Sequence, residues 1–250
     1  MPDNRKTPAS TLAEALKADK SFSHFSLGLE EAEQAQLSAL KVSHEATYDN
    51  FGAGDVLQEE TAKFIESLGN TKEEAQLAAN VVNSLLQQTL KDFGAEAAWV
   101  AVRATLPNDA FDIPRWHQDG AFFKTENGEQ KKVAAVLKGA PTLFNGTEGT
   151  LRDAFRKALR NSEDDTAKTR IGLSLLLDPA LTEQAKAGEG SVFVTGSDRS
   201  GVHSEPAMKE ARIFFSILPG SKEQIEELRT RWEREKSNVI RKKPAAENRL

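Results

Sequence analysis

Cysteine is absent from the 250-residue chain, which removes disulfides, thiolate nucleophiles and cysteine-ligated zinc or iron–sulfur clusters from consideration. Any metal must be held by nitrogen and oxygen. Long hydrophobic runs are also lacking: no stretch approaches the ~20 apolar residues of a membrane span. Residues 1–20 are polar and mixed in charge, without the apolar segment of a secretory signal. Both absences point to a soluble, cytoplasmic protein with no membrane partner. Nor is there an excess of positive charge. With 33 basic against 38 acidic residues the formal net charge is -5, so nothing general attracts phosphate backbones or anionic lipid.

A hydrophobic content of 38% over this length is enough to bury a full core, and it fits one elaborated domain better than two. Residues 1–95 read as helical, with segments expected at 11–20, 29–44 and 55–68. A fourth opens on a capping box made by Thr71 and Glu74 and runs to Phe93, where Gly94 stops it. From residue 96 the texture changes to short runs rich in Val, Phe and Ile, bounded by Gly, Pro, Asn or Asp. Strands are expected at 99–105, 133–137, 142–144, 191–194 and 212–218. An amphipathic helix at 149–161 and a polar loop at 163–168 interrupt them, and 171–177 fits helix or strand. Pro219-Gly220 closes the strand section, a charged helix follows from Ser221 to about Lys236, and 241–250 reads as a frayed tail. The expected organisation is therefore an α+β chain with a helical region at 1–95, a β core at 96–219, and a C-terminal helix and tail at 220–250. No internal repeat is present.

Only four histidines occur, and two lie in the strand-rich half. In Arg115-Trp116-His117-Gln118-Asp119-Gly120 the His and Asp are two apart, so on an extended strand both point to one face. An acid two places after a His is expected about 0.6 times by chance in this composition, and His203-Ser204-Glu205 is a second such pair. The pair alone thus carries little weight, and Glu205 competes with Asp119 as a carboxylate ligand. The surroundings of His203 add to it. The residue follows an apolar strand and precedes Ala211-Arg212-Ile213-Phe214-Phe215-Ser216-Ile217-Leu218, where Arg212, Phe214 and Ser216 share one face. An arginine inside so apolar a strand costs several kcal/mol to bury without a partner anion, and a bound carboxylate would satisfy it bidentately.

These residues together resemble the Fe(II)/2-oxoglutarate-dependent dioxygenase superfamily, whose core is a double-stranded β-helix of the jelly-roll, cupin-like kind. His117 and Asp119 match its His-x-Asp pair and His203 its distal metal ligand. Arg212 matches the residue that grips the far carboxylate of 2-oxoglutarate, and Ser216 supplies the nearest hydroxyl on that face, where many members carry a Ser two residues after the Arg. Gly139-Ala140-Pro141-Thr142 resembles the family's small-residue turn. The matched region spans about residues 99–218. The resemblance implies Fe(II) held by His117, Asp119 and His203, with 2-oxoglutarate and dioxygen as cosubstrates. It implies decarboxylation to succinate coupled to C–H oxidation of a small molecule or an amino-acid side chain. The second Arg and the Asn found in the nucleic-acid-repairing branch are missing from 213–218, so no nucleic-acid partner is expected. Two alternatives stand beside this reading: a degenerate binding module of the same fold, and a cupin-like metalloenzyme that does not use 2-oxoglutarate. Arg103, Arg115 and Lys138 are further candidate anion contacts. Trp116, Phe122, Phe123 and Phe144 are aromatic candidates for core or cavity wall. His24 and His44 fall in the helical part, where a structural or exposed role is expected.

Overall fold

The computed structural model describes residues 12–16, 20–52, 55–125, 128–162 and 164–242. Parts of the helix expected at 11–20 and most of the tail at 241–250 lie outside the described residues. The chain is a mixture of helices and antiparallel sheet. In order come α1 (Leu12–Ala15), β1 (Phe22–Ser26), α2 (Glu31–Ser38), β2 (Ala46–Gly52), α3 (Asp55–Ser67), α4 (Lys72–Phe93), β3 (Ala97–Thr105), β4 (Gln130–Lys138) and β5 (Leu143–Asn145). Then follow α5 (Gly149–Asn161), α6 (Ala167–Ser174), β6 (Thr182–Gln184), β7 (Glu189–Thr195), β8 (Val202–Ser204), β9 (Arg212–Gly220) and α7 (Lys222–Lys242). No described helix is long and apolar enough to cross a membrane.

Two sheets carry the architecture: a six-stranded one in the order β1-β7-β4-β9-β3-β2, and a three-stranded one in the order β6-β5-β8. The large sheet is apolar on both faces because both are covered. On one face Val100, Val102, Val133, Val192, Val194, Ile213, Phe215 and Ile217 pack against α3 and α4, so alternate residues of each central strand enter one core. Helix α4 meets them with Ala78, Val82, Leu85, Leu86 and Thr89 buried at spacings of three and four. The expected Thr71–Glu74 capping box is formed, and Gly94 closes the helix in the left-handed region at φ 59°, where an L side chain would be strained.

The opposite face splits by position. At one end Trp99, Phe123 and Leu218 take Ile225, Leu228 and Trp232 of α7, and Asp49 on β2 accepts from the indole N–H of both Trp99 (3.2 Å) and Trp232 (3.4 Å). In the middle, Phe22, Ala134, Phe193 and Phe214 of the large sheet meet Phe144 of the small one. Behind the small sheet, α5, α6 and the turn after α6 cover Trp116 and Val202 with Phe155, Leu173 and Leu177.

The first third differs from the helical reading. β1 (Phe-Ser-His-Phe-Ser) and β2 (Ala-Thr-Tyr-Asp-Asn-Phe-Gly) form the two edges of the large sheet, paired with β7 and β3. Their propensity for strand is expressed only because an open edge waits for them later in the chain. His24 therefore sits on a strand, its Nδ1 2.9 Å from Ser191 Oγ, while His44 is exposed as expected. The ambiguous stretch at 171–177 is helical through Ser174, and the strand section continues through Pro219 and Gly220, which pair with Ala98 and Ala97. Phe215 is completely buried between the large sheet and α4. Phe215→Ala should lower stability by about 3–5 kcal/mol, read as a reduced urea midpoint with an unchanged m-value. A loss under about 1 kcal/mol would contradict this account of the core.

Candidate metal centre

The site begins with a reciprocal backbone pair. His117 N–H donates to His203 O and His203 N–H donates to His117 O, each at 2.9 Å, an isolated antiparallel bridge that adds the 117 segment to the small sheet beside β8. In that register Arg115 lies opposite Glu205 and Asp119 opposite Gly201. The period of two then puts Arg115, His117 and Asp119 on the face that also carries His203 and Glu205. β8 is paired on its other side with β5, Phe144 opposite His203, so the face is held from both edges.

Both imidazoles are oriented by their own strands. His117 Nδ1 lies 2.8 Å from Arg115 O and His203 Nδ1 3.0 Å from Gly201 O. A carbonyl only accepts, so each Nδ1 carries a proton, and in a neutral ring the lone pair is then on Nε2. Those two Nε2 atoms converge on Asp119 Oδ1, at 3.9 Å from His117 and 3.8 Å from His203. One ligand atom from each of the three residues lies within 4.8 Å of the others. Two ligands on opposite sides of an ion at ~2.1 Å would be ~4.2 Å apart, so both carboxylate-to-imidazole separations are short enough to share a centre. Two imidazoles and a carboxylate suit iron, zinc, manganese or related divalent ions, and an arrangement of this kind leaves positions open on an octahedral metal.

The electrostatics agree with a ligand set ready to coordinate. Burial pushes the Asp119 carboxyl upward, but the Lys132 ammonium hydrogen-bonded to it outweighs that, and the group is held well below the usual carboxylate range. His203 is pushed down to about 4 by burial and by His117, with Asp119 opposing. It is therefore neutral near pH 7, the form that binds metal. Phe193 (5.1 Å) and Phe144 (5.7 Å) pack on its ring and supply that burial.

Arg212 is 5% exposed, and burial lowers it to about 10. Its Nε donates to Ala140 O (2.8 Å) and one terminal nitrogen to Thr142 Oγ1 (3.1 Å), while the guanidinium lies over the Phe214 ring at 4.6 Å. Among the described residues no carboxylate stands within ion-pair distance of it. Gly139, at φ +84°, lets the turn before Ala140 approach this strand: a Cβ there would come 2.8 Å from Ala211 O and 3.0 Å from Arg212 Cα. Ser216 is buried and faces Ala101 and Ala134 across the sheet, one strand pleat beyond Phe214.

The three expected ligands are thus brought together, and Arg212 and Ser216 line the same strand face. Glu205 is not within the cluster. It is held bidentately by Arg115 at 2.6 and 3.3 Å, which takes it out of competition with Asp119. Lys138 is spent on Ser38 O, and Arg103 is exposed. Trp116 and Phe123 are core residues, and Phe122 packs on Trp99. Two contacts escaped the sequence reading. Lys132, 2.8 Å from Asp119 Oδ2, is a lysine in an apolar strand, a signal of the same kind that singled out Arg212. Thr142 belongs to the Gly139–Thr142 turn expected from the resemblance, but its contact with Arg212 depends on how that turn folds.

His203 also makes stability depend on pH. Its folded value lies below the ordinary 6.5, so the unfolded chain takes up the proton first as the pH falls. In metal-free protein the resulting stability is intact above about pH 6.5 and is lost on the way down to about 4, by roughly 3 kcal/mol. Urea unfolding across that range should show the difference between wild type and His203→Gln shrinking by this amount, and a difference that stays flat would refute the assignment.

No protein-family model matches the chain, and no curated protein matches it. Among solved structures, it is similar to a Pseudomonas putida prolyl-4-hydroxylase (11% identity, 86% of this chain and 98% of that one, TM-score 0.42). It is also similar to a rice dioxygenase for auxin oxidation (12% identity, 86% and 83%, TM-score 0.44). A third is a Kdo hydroxylase described as a non-heme Fe(II) alphaketoglutarate dependent dioxygenase (11% identity, 87% and 86%, TM-score 0.41).

Proposed function

We propose that the chain is an Fe(II)- and 2-oxoglutarate-dependent oxygenase that oxidises a C–H bond of a small molecule or an amino-acid side chain. The observation that carries this reading is the convergence of His117 Nε2, His203 Nε2 and Asp119 Oδ1 on one point, on the strand face that also holds a buried Arg212 with no carboxylate partner among the described residues. The two sheets, with 117 added to the smaller, are read as the two halves of a double-stranded β-helix. Its core spans 96–219, the helical covering and two edge strands come from 1–95, and a terminal helix and tail from 220–250. We further infer a soluble, cytoplasmic protein that takes dioxygen as a partner and neither nucleic acid nor membrane.

In this reading His117, His203 and Asp119 hold the metal through three atoms, and Arg212 with Thr142 receives the far carboxylate of 2-oxoglutarate. Ser216 is the next hydroxyl along that strand. A guanidinium already desolvated and hydrogen-bonded in place loses little further freedom on gripping an anion. Phe144 and Phe193 exclude water from behind His203. Iron held there would supply the oxidation, one atom of dioxygen going into succinate as 2-oxoglutarate loses carbon dioxide and the other into the substrate C–H bond. The chain's own task is to bind, orient and keep dry.

Anaerobic addition of Fe(II) and then 2-oxoglutarate should produce a weak visible charge-transfer band, which His117→Ala abolishes. Arg212→Ala should raise the 2-oxoglutarate Kd by about thirtyfold or more, as expected for losing one side of a buried charge pair, while Fe(II) affinity stays within a few-fold. Metal binding with no band would leave a binding module or a metalloenzyme of another kind. Unchanged 2-oxoglutarate affinity in Arg212→Ala would remove that residue's role.

A further inference from the structure

The two oxygens of Asp119 are divided between two partners. Oδ1 faces the imidazoles at 3.8 and 3.9 Å, while Oδ2 accepts a 2.8 Å hydrogen bond from Lys132 Nζ. Lys132 comes from β4, opposite Phe193 on β7, and its side chain is 13% exposed. Its ammonium is fenced by aromatic faces, with the rings of Phe122, Trp99 and Phe193 at 4.9, 5.8 and 5.9 Å. Those faces suit a desolvated cation, but none accepts a conventional hydrogen bond. Among the described residues Asp119 is the only acceptor it has. A charge-assisted bond from a partly buried ammonium is among the stronger polar contacts a protein makes, so Oδ2 is not readily released.

A lysine is an unexpected neighbour for a site that binds a dication. Like charges a few ångströms apart repel, so an ammonium there lowers metal affinity, and a residue selected for tight metal binding would not be cationic. Its geometric effect is different. A carboxylate with both oxygens free can chelate one ion through both. Two imidazoles and a chelating carboxylate fill four of six octahedral positions, leaving about two open, whereas a one-oxygen carboxylate leaves about three. A bidentate oxo acid and a diatomic gas together need three.

We propose that Lys132 is a positioning residue that restrains Asp119 to one metal-facing oxygen and so keeps a third coordination position open. This rests on the metal reading above and assigns the restraint to a side chain outside the ligand set.

The test uses Mn(II), a redox-silent probe, bound to the full chain, with inner-sphere waters counted by water-proton relaxation. Wild type should hold about three waters, Lys132→Met about two, and Lys132→Arg, which retains a donor for Oδ2, about three. The Mn(II) Kd should fall about tenfold in Lys132→Met, because the repulsion is gone and the chelate has closed. Should the methionine variant fail to fold, Lys132→Leu takes its place among the same rings. Equal water counts in wild type and the apolar variant, with Mn(II) bound to both, overturn this proposal and leave the metal reading standing. Absence of Mn(II) binding by wild type overturns both.

Discussion

The hydrogen-bonded pair between the backbones of His117 and His203 is the contact on which the rest of the site depends. It is short, with one residue on each side, yet it sets a register. Given that register, the alternation of an extended chain places two imidazoles and a carboxylate on one face and Trp116 and Val202 on the other, where α5 and α6 cover them. A slip of one residue would exchange the two sets, burying the polar groups against Phe155 and Leu173 and exposing Trp116. The Arg115–Glu205 pair lies next along the same ribbon and opposes such a slip, because its two charges meet only in this register.

Two cations, the partly buried Lys132 and the buried Arg212, stand on one face of the large sheet, and they differ in a way that bears on function. Lys132 has its anion in Asp119. Arg212 has a carbonyl, a hydroxyl and an aromatic face, which satisfy two of its donors without neutralising its charge. A buried guanidinium in that state is an incomplete contact, which a carboxylate brought from outside would complete.

The site was legible in the sequence to the extent that its chemistry departs from its surroundings. Histidines are few, a His-x-Asp spacing is compatible with one face of a strand, and an arginine among Ile and Phe demands an explanation. Each of these can be seen in a linear string, and the structure brings the three expected ligands to one point. Glu205 could not be separated from Asp119 by spacing, since both follow a histidine by two residues. Its pairing with Arg115 is a cross-strand contact and exists only once the ribbon is formed. Lys132 stands beside an apolar run, where a lysine usually reaches water, and only the fold encloses it among three aromatic rings from three different segments.

The helices α3, α4 and α7 and the central strands β3, β4, β7 and β9 were determined by the sequence itself, because their caps, their periodicity and their apolar runs are local properties. So was the inventory of donor atoms that the chain can offer, nitrogen and oxygen with no cysteine sulfur. Tertiary structure alone decided that β1 and β2 are strands, that Asp119 and not Glu205 brings an oxygen close to both imidazoles, and that Lys132 and Thr142 join the constellation. The reason is common to all three. Pairing across a sheet, and burial of a polar side chain among others, are energies shared between segments far apart in the chain, and no window of sequence contains both partners.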